Sequence, residues 1–183
     1  MIYTITLNPA LDYIIKLKEL VPNEINTSES EYILPGGKGI NVSIILKRLD
    51  VESVTLGFIS GFTGKEIQKL VEKEKIQTDL INLEEGHSRI NVKILENEKE
   101  TAINSKGPLV DNKSIENLYQ KLNNLKENDI LVLSGSIPKG IKEDIYEEIC
   151  EKIKGKNVKI VVDSTKKLLL NTLKYRPFLI KPN

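Results

Sequence analysis

The residues best suited to chemistry in this sequence form a glycine-rich loop at positions 35–41, Pro-Gly-Gly-Lys-Gly-Ile-Asn. Closely spaced glycines allow a backbone to approach a ligand. The loop runs into a predicted helix, whose first N–H groups lack intrahelical partners and favour negative charge. Lys38 adds a positive charge, and Asn41 offers an amide one turn further on. The pattern therefore predicts a ligand site for a hydroxyl or phosphate group, with Gly37, Lys38 and Asn41 as contributors.

This loop matches neither of the common nucleotide-binding motifs. A P-loop requires Gly, four residues, then Gly-Lys and a Ser or Thr, but here Lys38 is followed by Gly39. The pair Gly64-Lys65 fails as well, because Glu66 follows it. A dinucleotide-binding fingerprint is also absent. A lone glycine pair would indicate only a turn that starts a helix, whereas the longer pattern Gly-Gly-Lys-Gly-x-x-Asn favours ligand binding.

Other polar residues are predicted to converge on the same region. Asp12 follows the first strand and can accept hydrogen bonds from sugar hydroxyls, and Arg89 begins a predicted hairpin and can clamp a phosphate in bidentate fashion. Ser134 and Ser136 follow a buried strand at its carboxyl end, where α/β proteins form sites. Taken singly, Asp12 also fits an ordinary acidic residue in a loop, Arg89 a surface charge, and the two serines a simple turn at the end of a strand. With one histidine, His87, and one cysteine, the sequence predicts neither a zinc site nor a histidine-based triad.

Short apolar strands alternate with amphipathic helices along the chain. The strands are predicted at residues 3–7, 54–59, 130–133, 158–162 and 178–180, and the helices at 38–49, 64–75, 112–125 and 142–153. In the first helix, Val42, Ile45, Leu46 and Leu49 have the spacing of one apolar face. This alternation predicts an α/β fold with a doubly wound, mostly parallel sheet flanked by helices.

Four further segments break that alternation and look like a small second sheet. Residues 12–17 and 31–35 are extended without a helix between them, and 89–96 and 99–104 form a probable antiparallel hairpin. We expect these strands to be inserted into a single domain spanning residues 1–183 and to act as a lid over a site at the carboxyl ends of the main strands.

The bulk composition narrows the classes of function. With 27 basic and 26 acidic residues the net charge is +1, which gives no general reason to expect nucleic acid or an anionic membrane. The single cysteine, Cys150, excludes an internal disulfide. No apolar run approaches the roughly 20 residues needed to span a bilayer, and the N-terminus does not resemble a signal peptide. The cytoplasm is the expected location.

Several motifs in the expected order resemble the PfkB, or ribokinase-like, family of sugar-phosphate kinases, and most of all its 1-phosphofructokinase branch. They are the opening Thr-Leu-Asn-Pro-Ala-Leu-Asp at 6–12, the loop at 36–41, the segments 89–93 and 101–104, Leu-Ser-Gly-Ser-Ile-Pro at 133–138, Val-Val-Asp-Ser at 161–164 and Ile-Lys-Pro-Asn at 180–183. The resemblance covers essentially the whole chain, and the ordered set is more specific than any single motif.

The resemblance implies transfer of the ATP γ-phosphoryl group to the free primary hydroxyl of fructose 1-phosphate, with Mg²⁺, in a homodimer formed through the lid sheets. The resemblance implies that Asp12 holds hydroxyls of the sugar, and that Gly37, Lys38 and Asn41 bind the sugar phosphate and its neighbouring hydroxyls. It implies that Arg89 holds the phosphate from the lid, with Asn104 nearby, and that Ser134 and Ser136 line the floor of the cleft. Lys181 and Asn183 would face the ATP phosphates and Mg²⁺.

One family motif does not occur within these 183 residues. Members of the family carry a Gly-Ala-Gly-Asp stretch that forms an anion hole and supplies the general base, but this sequence has no glycine after Gly155. We therefore expect the chain to be the N-terminal part of such a kinase, with the base beyond residue 183, and to be inactive alone. Tagatose-6-phosphate kinase, 6-phosphofructokinase and a non-catalytic sugar-phosphate-binding module remain alternatives.

Overall fold

A computed structural model describes residues 1–182, without the side chain of Lys166. Strands and helices alternate along most of it. The strands are β1 Ile2–Thr6, β2 Ala10–Lys16, β3 Ser30–Gly36, β4 Ser53–Ser60, β5 Gln77–Leu83, β6 Arg89–Glu96, β7 Lys99–Asn104, β8 Ile130–Ser134, β9 Lys159–Ser164 and β10 Leu179–Pro182. The α-helices are α1 Lys38–Arg48, α2 Gly61–Lys73, α3 Asn112–Leu122, α4 Ile145–Lys152 and α5 Lys166–Leu170.

Six strands form one parallel sheet in the order β5-β4-β1-β8-β9-β10. Counted along the chain within this sheet, the order is 3-2-1-4-5-6, so its direction of growth reverses between β1 and β8. Open α/β sheets bind ligands in the crevice outside the carboxyl ends of the strands at such a reversal. The carboxyl ends of β1 and β8 lie side by side at Thr6 and Ser134.

The two faces of this sheet differ in chemistry. One face carries the main hydrophobic core, in which Ile5, Leu56 and Leu133 from three neighbouring strands pack against α3 and α4. The other face places Thr4 and Thr55 beneath α1. Helices therefore cover both faces, as expected for a doubly wound fold.

The second sheet has the order β3-β2-β6-β7. Strands β2 and β6 are parallel, and β3 and β7 pair with them antiparallel at the two edges. The predicted hairpin of residues 89–96 and 99–104 is confirmed within this small sheet. Its base lies at the site crevice, because Ala10 is paired in register with both Gly36 and Arg89.

The predicted α/β fold class, with a mostly parallel sheet and a small second sheet, is confirmed. Strand β5 and helix α5 were not expected from the sequence. The predicted apolar face of the first helix is wrong: α1 buries Gly39, Ile40 and Ser43, whereas Ile45 and Leu49 are 52% and 67% exposed. The reason is that α1 lies so close to β1 that small residues, Gly39 and Ser43, occupy the contact, while Ile40 packs beside it in a cluster with Ile67 and Val71 of α2. Within residues 1–182, no helix combines the length and the apolar character needed to cross a membrane.

Candidate active site

The crevice at the carboxyl ends of β1 and β8 opens into a cavity of about 650 Å³. Five of the residues predicted from the sequence line this cavity, namely Gly37, Lys38, Arg89, Ser134 and Ser136. It is also lined by polar residues that the sequence did not single out, namely Asn8, Glu143, Ser164, Thr165 and Lys167. The fold therefore gathers residues that are far apart in the sequence around one concave surface.

The glycine loop brings the start of α1 against β1. A Cβ on Gly39 would lie 2.5 Å from the Thr6 hydroxyl and 2.7 Å from the Ile5 carbonyl oxygen, so only glycine permits this approach. Gly37 has a φ of 132°, a backbone conformation that side chains disfavour. The Thr6 hydroxyl accepts a hydrogen bond from the Ile40 N–H at 3.0 Å, which satisfies one of the unpaired donors at the helix start.

A buried hydrogen-bond chain fixes α1 one turn further along. The Ser43 and Thr4 hydroxyls lie 2.7 Å apart, and the Thr55 hydroxyl donates to Ser43 at 3.1 Å. All three residues are fully buried. Because buried hydroxyls are costly unless they are paired, this network specifies one position of α1 on the sheet and hence one position for Lys38.

Lys38 lies at one end of the cavity in a cluster with Asp163. The Lys38 ammonium donates to Asp163 Oδ1 at 3.1 Å, and Lys181 donates to the same oxygen at 3.2 Å. Asp163 comes from β9 and Lys181 from the neighbouring strand β10, which puts them in register. Two cations thus share one carboxylate. Asn183, predicted to act on the same side, lies outside the described residues.

Arg89 lies at the other end of the cavity, at the base of the small sheet. Its Nε–H donates to the Asn8 carbonyl oxygen at 3.1 Å, which orients the guanidinium and leaves its two terminal amino groups for a ligand. Burial lowers the pKa of Arg89, and the Asp12 carboxylate opposes that shift. A guanidinium remains charged near neutral pH even so.

Asp12 lies behind the glycine loop, outside the cavity lining. A Cβ on Gly36 would lie 2.6 Å from its carboxylate, so the glycine makes room for the acid. The Asn91 amide donates to Asp12 at 2.9 Å, and the Lys93 ammonium lies 3.0 Å from its other oxygen. Both partners come from β6, next to β2 in the small sheet. Asp12 is therefore held by the small sheet at the edge of the crevice.

The floor of the cavity is the turn that follows β8. Ser134 is fully buried and its hydroxyl donates to the Ile5 carbonyl oxygen at 3.3 Å, so it supports the crevice from below. Ser136 is exposed in the same turn. Tyr146, from α4, donates to the Gly135 carbonyl oxygen at 3.1 Å and so anchors the turn between these two serines.

Besides Asp12 and Lys181, two more predicted residues lie outside the lining of this cavity. Asn41 lines a separate cavity of about 370 Å³ together with Lys38 and Asp163. Asn104 is exposed on β7, where it is paired in register with Asn91. Among residues 1–182, no group of three His, Cys, Asp or Glu side chains is placed to hold a metal ion.

The sequence reasoning missed Asn8, Lys93 and Asp163. Asn8 lies within the opening motif, and Asp163 within a strand-end motif, so both had a sequence signal. The pairings of Lys38 with Asp163 and of Lys93 with Asp12 had no sequence signal, because they depend on which strands are neighbours in the fold.

Residues 5–183 match the description "pfkB family carbohydrate kinase". The chain belongs to the pfkB family of carbohydrate kinases. The resemblance to this family, which the sequence motifs indicated, is thereby confirmed. The two sheets and the crevice described above are therefore features of a pfkB family member.

Relatives within the pfkB family match over the whole chain. The chain is 42% identical to a 1-phosphofructokinase of Bacillus subtilis and 39% identical to a D-tagatose-1-phosphate kinase of Bacillus licheniformis, in each case over 100% of this chain and 60% of the relative. A crystal structure of a phosphofructokinase candidate from Staphylococcus aureus is 42% identical with a TM-score of 0.89, covering 100% of this chain and 59% of that one. The chain thus spans about 60% of the length of these relatives.

Proposed function

We propose that this chain is the acceptor-binding part of an ATP-dependent kinase that converts fructose 1-phosphate into fructose 1,6-bisphosphate. The observation that carries the proposal is a cavity lined both by the oriented guanidinium of Arg89 and by Lys38, which is ion-paired in the Lys38–Asp163–Lys181 cluster. One neighbouring cavity is lined by Arg89 but not by Lys38, and another by Lys38 but not by Arg89, which indicates that the two groups lie on different sides. A sugar with phosphate on one terminal carbon and a reacting hydroxyl on the other needs such a separation. The 1-phosphofructokinase relative supports the same substrate.

In this proposal Arg89 holds the acceptor's phosphate through its two terminal amino groups, and Ser136 adds a hydroxyl. Gly37 allows the sugar to lie against the loop backbone, with Lys38 and Asn41 on the α1 side. Asp12 accepts hydrogen bonds from sugar hydroxyls at the rim, with Asn104 nearby on the small sheet. Ser134 supports the floor of the cavity, because its hydroxyl already donates a hydrogen bond to the Ile5 carbonyl oxygen.

The other end of the cavity is proposed to receive the phosphates of ATP. The resemblance assigns Lys38 to the sugar phosphate and Lys181 to the ATP phosphates. We propose instead that both supply positive charge on the ATP side, because Asp163 holds both ammonium groups together. Asn183 is proposed to act on the same side. Mg²⁺ neutralises phosphate charge when bound and takes most of its ligands from phosphate oxygens and water, so a dedicated cage of carboxylates is not required.

Phosphoryl transfer also needs a general base, which we propose lies outside these 183 residues, since no glycine-rich anion loop follows Gly155. We propose the cytoplasm as the location of the protein, because ATP and sugar phosphates are cytoplasmic metabolites. The test compares the 183-residue chain with the protein encoded by the complete reading frame that contains it, using calorimetry for binding and a coupled assay for ADP release.

We expect the complete protein to turn over fructose 1-phosphate with ATP and Mg²⁺, and the 183-residue chain to bind fructose 1-phosphate without turnover. Turnover by the 183-residue chain would contradict the proposal that these residues bind the acceptor and that the general base lies outside them. A complete protein that binds the sugar phosphate but releases no ADP would instead favour a non-catalytic binding module.

Tagatose 1-phosphate is the second candidate substrate, because one relative is a D-tagatose-1-phosphate kinase. The two sugar phosphates carry phosphate on the same carbon and differ in the configuration of one hydroxyl. A comparison of kcat/KM for both, and for fructose 6-phosphate and tagatose 6-phosphate, decides between them. A preference for either 6-phosphate would overturn the proposed orientation.

We also propose that two copies associate through the small sheet. Ile33 and Ile103 lie in one cross-strand row, and Ile90 lies on the same face in the row nearer the crevice. They are 46%, 60% and 37% exposed, which is an unfavourable apolar surface in water. Ile103→Lys is expected to shift the protein from dimer to monomer in light scattering, whereas Leu109→Lys, at an exposed residue off the sheet, is not.

A further inference from the structure

A second cavity of about 340 Å³ adjoins the main one at its Arg89 end. We infer that this basic annex, lined by Arg89, Lys106 and Lys139, binds the phosphate of the acceptor sugar, so that Lys106 and Lys139 are specificity-determining residues. The inference rests on the proposed function, because it assumes a phosphorylated acceptor. The annex and the main cavity share Asn8, Arg89 and Ser136, so one ligand can extend from one into the other.

The charge of the annex favours an anion. Its lining contains three cationic side chains and no carboxylate. The chain as a whole has a net charge of only +1, so this positive potential is local. Among residues 1–182, the ammonium groups of Lys106 and Lys139 have no ion-pair partner, unlike those of Lys38 and Lys93. Unpaired cations around one concavity repel each other, and a phosphate dianion removes that repulsion.

The backbone that carries these lysines is fixed on both sides of the annex. Lys139 forms a parallel β-bridge with Leu109, and its carbonyl oxygen accepts the Val110 N–H at 3.0 Å. On the opposite wall, the Lys106 carbonyl oxygen accepts the Asn8 amide at 3.1 Å. The Ser105 hydroxyl donates to the Ile90 carbonyl oxygen at 2.6 Å, which ties the same segment to β6. The cations therefore project from anchored loops.

Asn8 connects Arg89 and Lys106. Its backbone carbonyl orients the Arg89 guanidinium, and its side chain holds the Lys106 segment. Asn8 is 7% exposed, and its Oδ1 is a buried acceptor without a hydrogen-bond partner in the described structure. Buried polar atoms are normally paired, and this acceptor on the wall shared by both cavities would be satisfied by a hydroxyl of the sugar next to the phosphate, not by the phosphate itself.

Binding of the phosphate in the annex would set the direction of the sugar. With the phosphate among Arg89, Lys106 and Lys139, the rest of a ketohexose extends through the main cavity toward Lys38. The far terminal hydroxyl then lies at the end proposed for ATP. The annex would thus select a sugar already phosphorylated at one end over the free sugar.

The test is isothermal titration calorimetry of the 183-residue chain at low ionic strength, with fructose 1-phosphate and fructose as ligands. Lys106→Gln and Lys139→Gln remove one exposed charge each, and Lys73→Gln is the matched control at an exposed lysine at the end of α2. We expect each annex variant to bind fructose 1-phosphate about fivefold more weakly, and the double variant about 25-fold. The control should stay within about twofold of the wild type.

Two results would overturn the inference in distinguishable ways. If the double annex variant binds fructose 1-phosphate as the wild type does, while Arg89→Ala loses binding, the annex is wrong and the proposed function stands. If the wild type binds fructose 1-phosphate no more tightly than fructose, both the annex and the proposed function fail. Circular dichroism of each variant checks that the exposed substitutions leave the fold intact.

Discussion

Two clusters of cationic side chains near the main cavity, called here the paired end and the basic end, differ in whether their charges are balanced by a carboxylate. At the paired end, Lys38 and Lys181 share the carboxylate of Asp163. At the basic end, Arg89 is oriented by a neutral carbonyl, and Lys106 and Lys139 have no carboxylate partner in the described structure. A paired cation attracts an anion less than an unpaired one, so we expect the phosphate dianion of the acceptor sugar to favour the basic end.

The paired end also depends on a more rigid support. Lys38 is delivered by α1, which is fixed by the buried chain of Thr4, Ser43 and Thr55 and by the absence of a side chain at Gly39. The basic end is built from the base of the small sheet and from loops. We therefore expect substitutions at the basic end to change affinity, and substitutions under α1 to change stability first.

The largest effect is expected from Arg89→Ala. Removal of the guanidinium should weaken binding of fructose 1-phosphate by about 100-fold or more, because a bidentate charge-assisted contact is lost. Arg89→Lys keeps the charge but loses the fork and should lie between the alanine variant and the wild type. Calorimetry measures both. An alanine variant within threefold of the wild type would mean that the phosphate binds elsewhere.

Gly39→Ala tests the support of the paired end. The new methyl group would overlap the Thr6 hydroxyl and the Ile5 carbonyl, which we expect to lower the free energy of unfolding by about 1–3 kcal/mol. Ile45→Ala on the exposed face of the same helix should cost less than about 1 kcal/mol. Urea titrations give both values. Equal costs would show that α1 does not fit closely against β1.

Asp163→Asn should make the paired end resemble the basic end. Without the shared carboxylate, the Lys38 and Lys181 ammonium groups attract anions more strongly, and affinity for pyrophosphate should rise about threefold. Glu143→Gln removes a carboxylate from the same cavity lining without breaking an ion pair and should change the affinity less. A loss of pyrophosphate binding in Asp163→Asn would show that Asp163 matters mainly for lysine orientation.

A loss of stability at the lower limit of that for Gly39→Ala is expected at the turn that follows β8. Tyr146→Phe removes the hydrogen bond to the Gly135 carbonyl oxygen and should cost about 1 kcal/mol of stability. Burial raises the pKa of Tyr146, and the Asp163 carboxylate raises it further. Because the pKa of Tyr146 is raised in the folded protein, the contribution of its neutral hydroxyl to the free energy of unfolding is complete below the ordinary tyrosine pKa of 10.0. That contribution is lost as pH increases above this value.

Thermal unfolding between pH 8 and pH 11 measures that loss. The wild type should lose stability toward the alkaline limit, and Tyr146→Phe should lose less of it. Parallel curves for the two proteins would exclude Tyr146 as the source of the alkaline destabilisation.

The sequence was sufficient for the fold class and for much of the crevice. The glycine loop ends β3 and Arg89 begins β6, both at the base of the small sheet. Ser136 follows β8, and the carboxyl ends of the neighbouring parallel strands β1 and β8 meet at one edge of the main sheet. That geometry is general, so motifs at strand ends predicted a shared site. The order of the strands, which identifies the crevice between β1 and β8, was not available from the sequence.

Two errors of the sequence-based prediction have different physical origins. The apolar spacing of Ile45 and Leu49 predicted a buried face, but the close approach of α1 to β1 left space only for Gly39 and Ser43. The spacing of apolar residues indicates which of them share a helix face, but it does not indicate how much space lies between that face and the sheet. Strand β5 was missed because its first three residues, Gln77, Thr78 and Asp79, are polar, although more and less buried positions alternate along most of the strand.

A crystal structure of the 183-residue chain with fructose 1-phosphate tests the central claim most directly. We predict phosphate oxygens within hydrogen-bond distance of the Arg89 guanidinium and the Ser136 hydroxyl, with the 6-hydroxyl of the sugar directed toward Lys38. A phosphate bound between Lys38 and Lys181, with the sugar directed toward Arg89, would contradict the account.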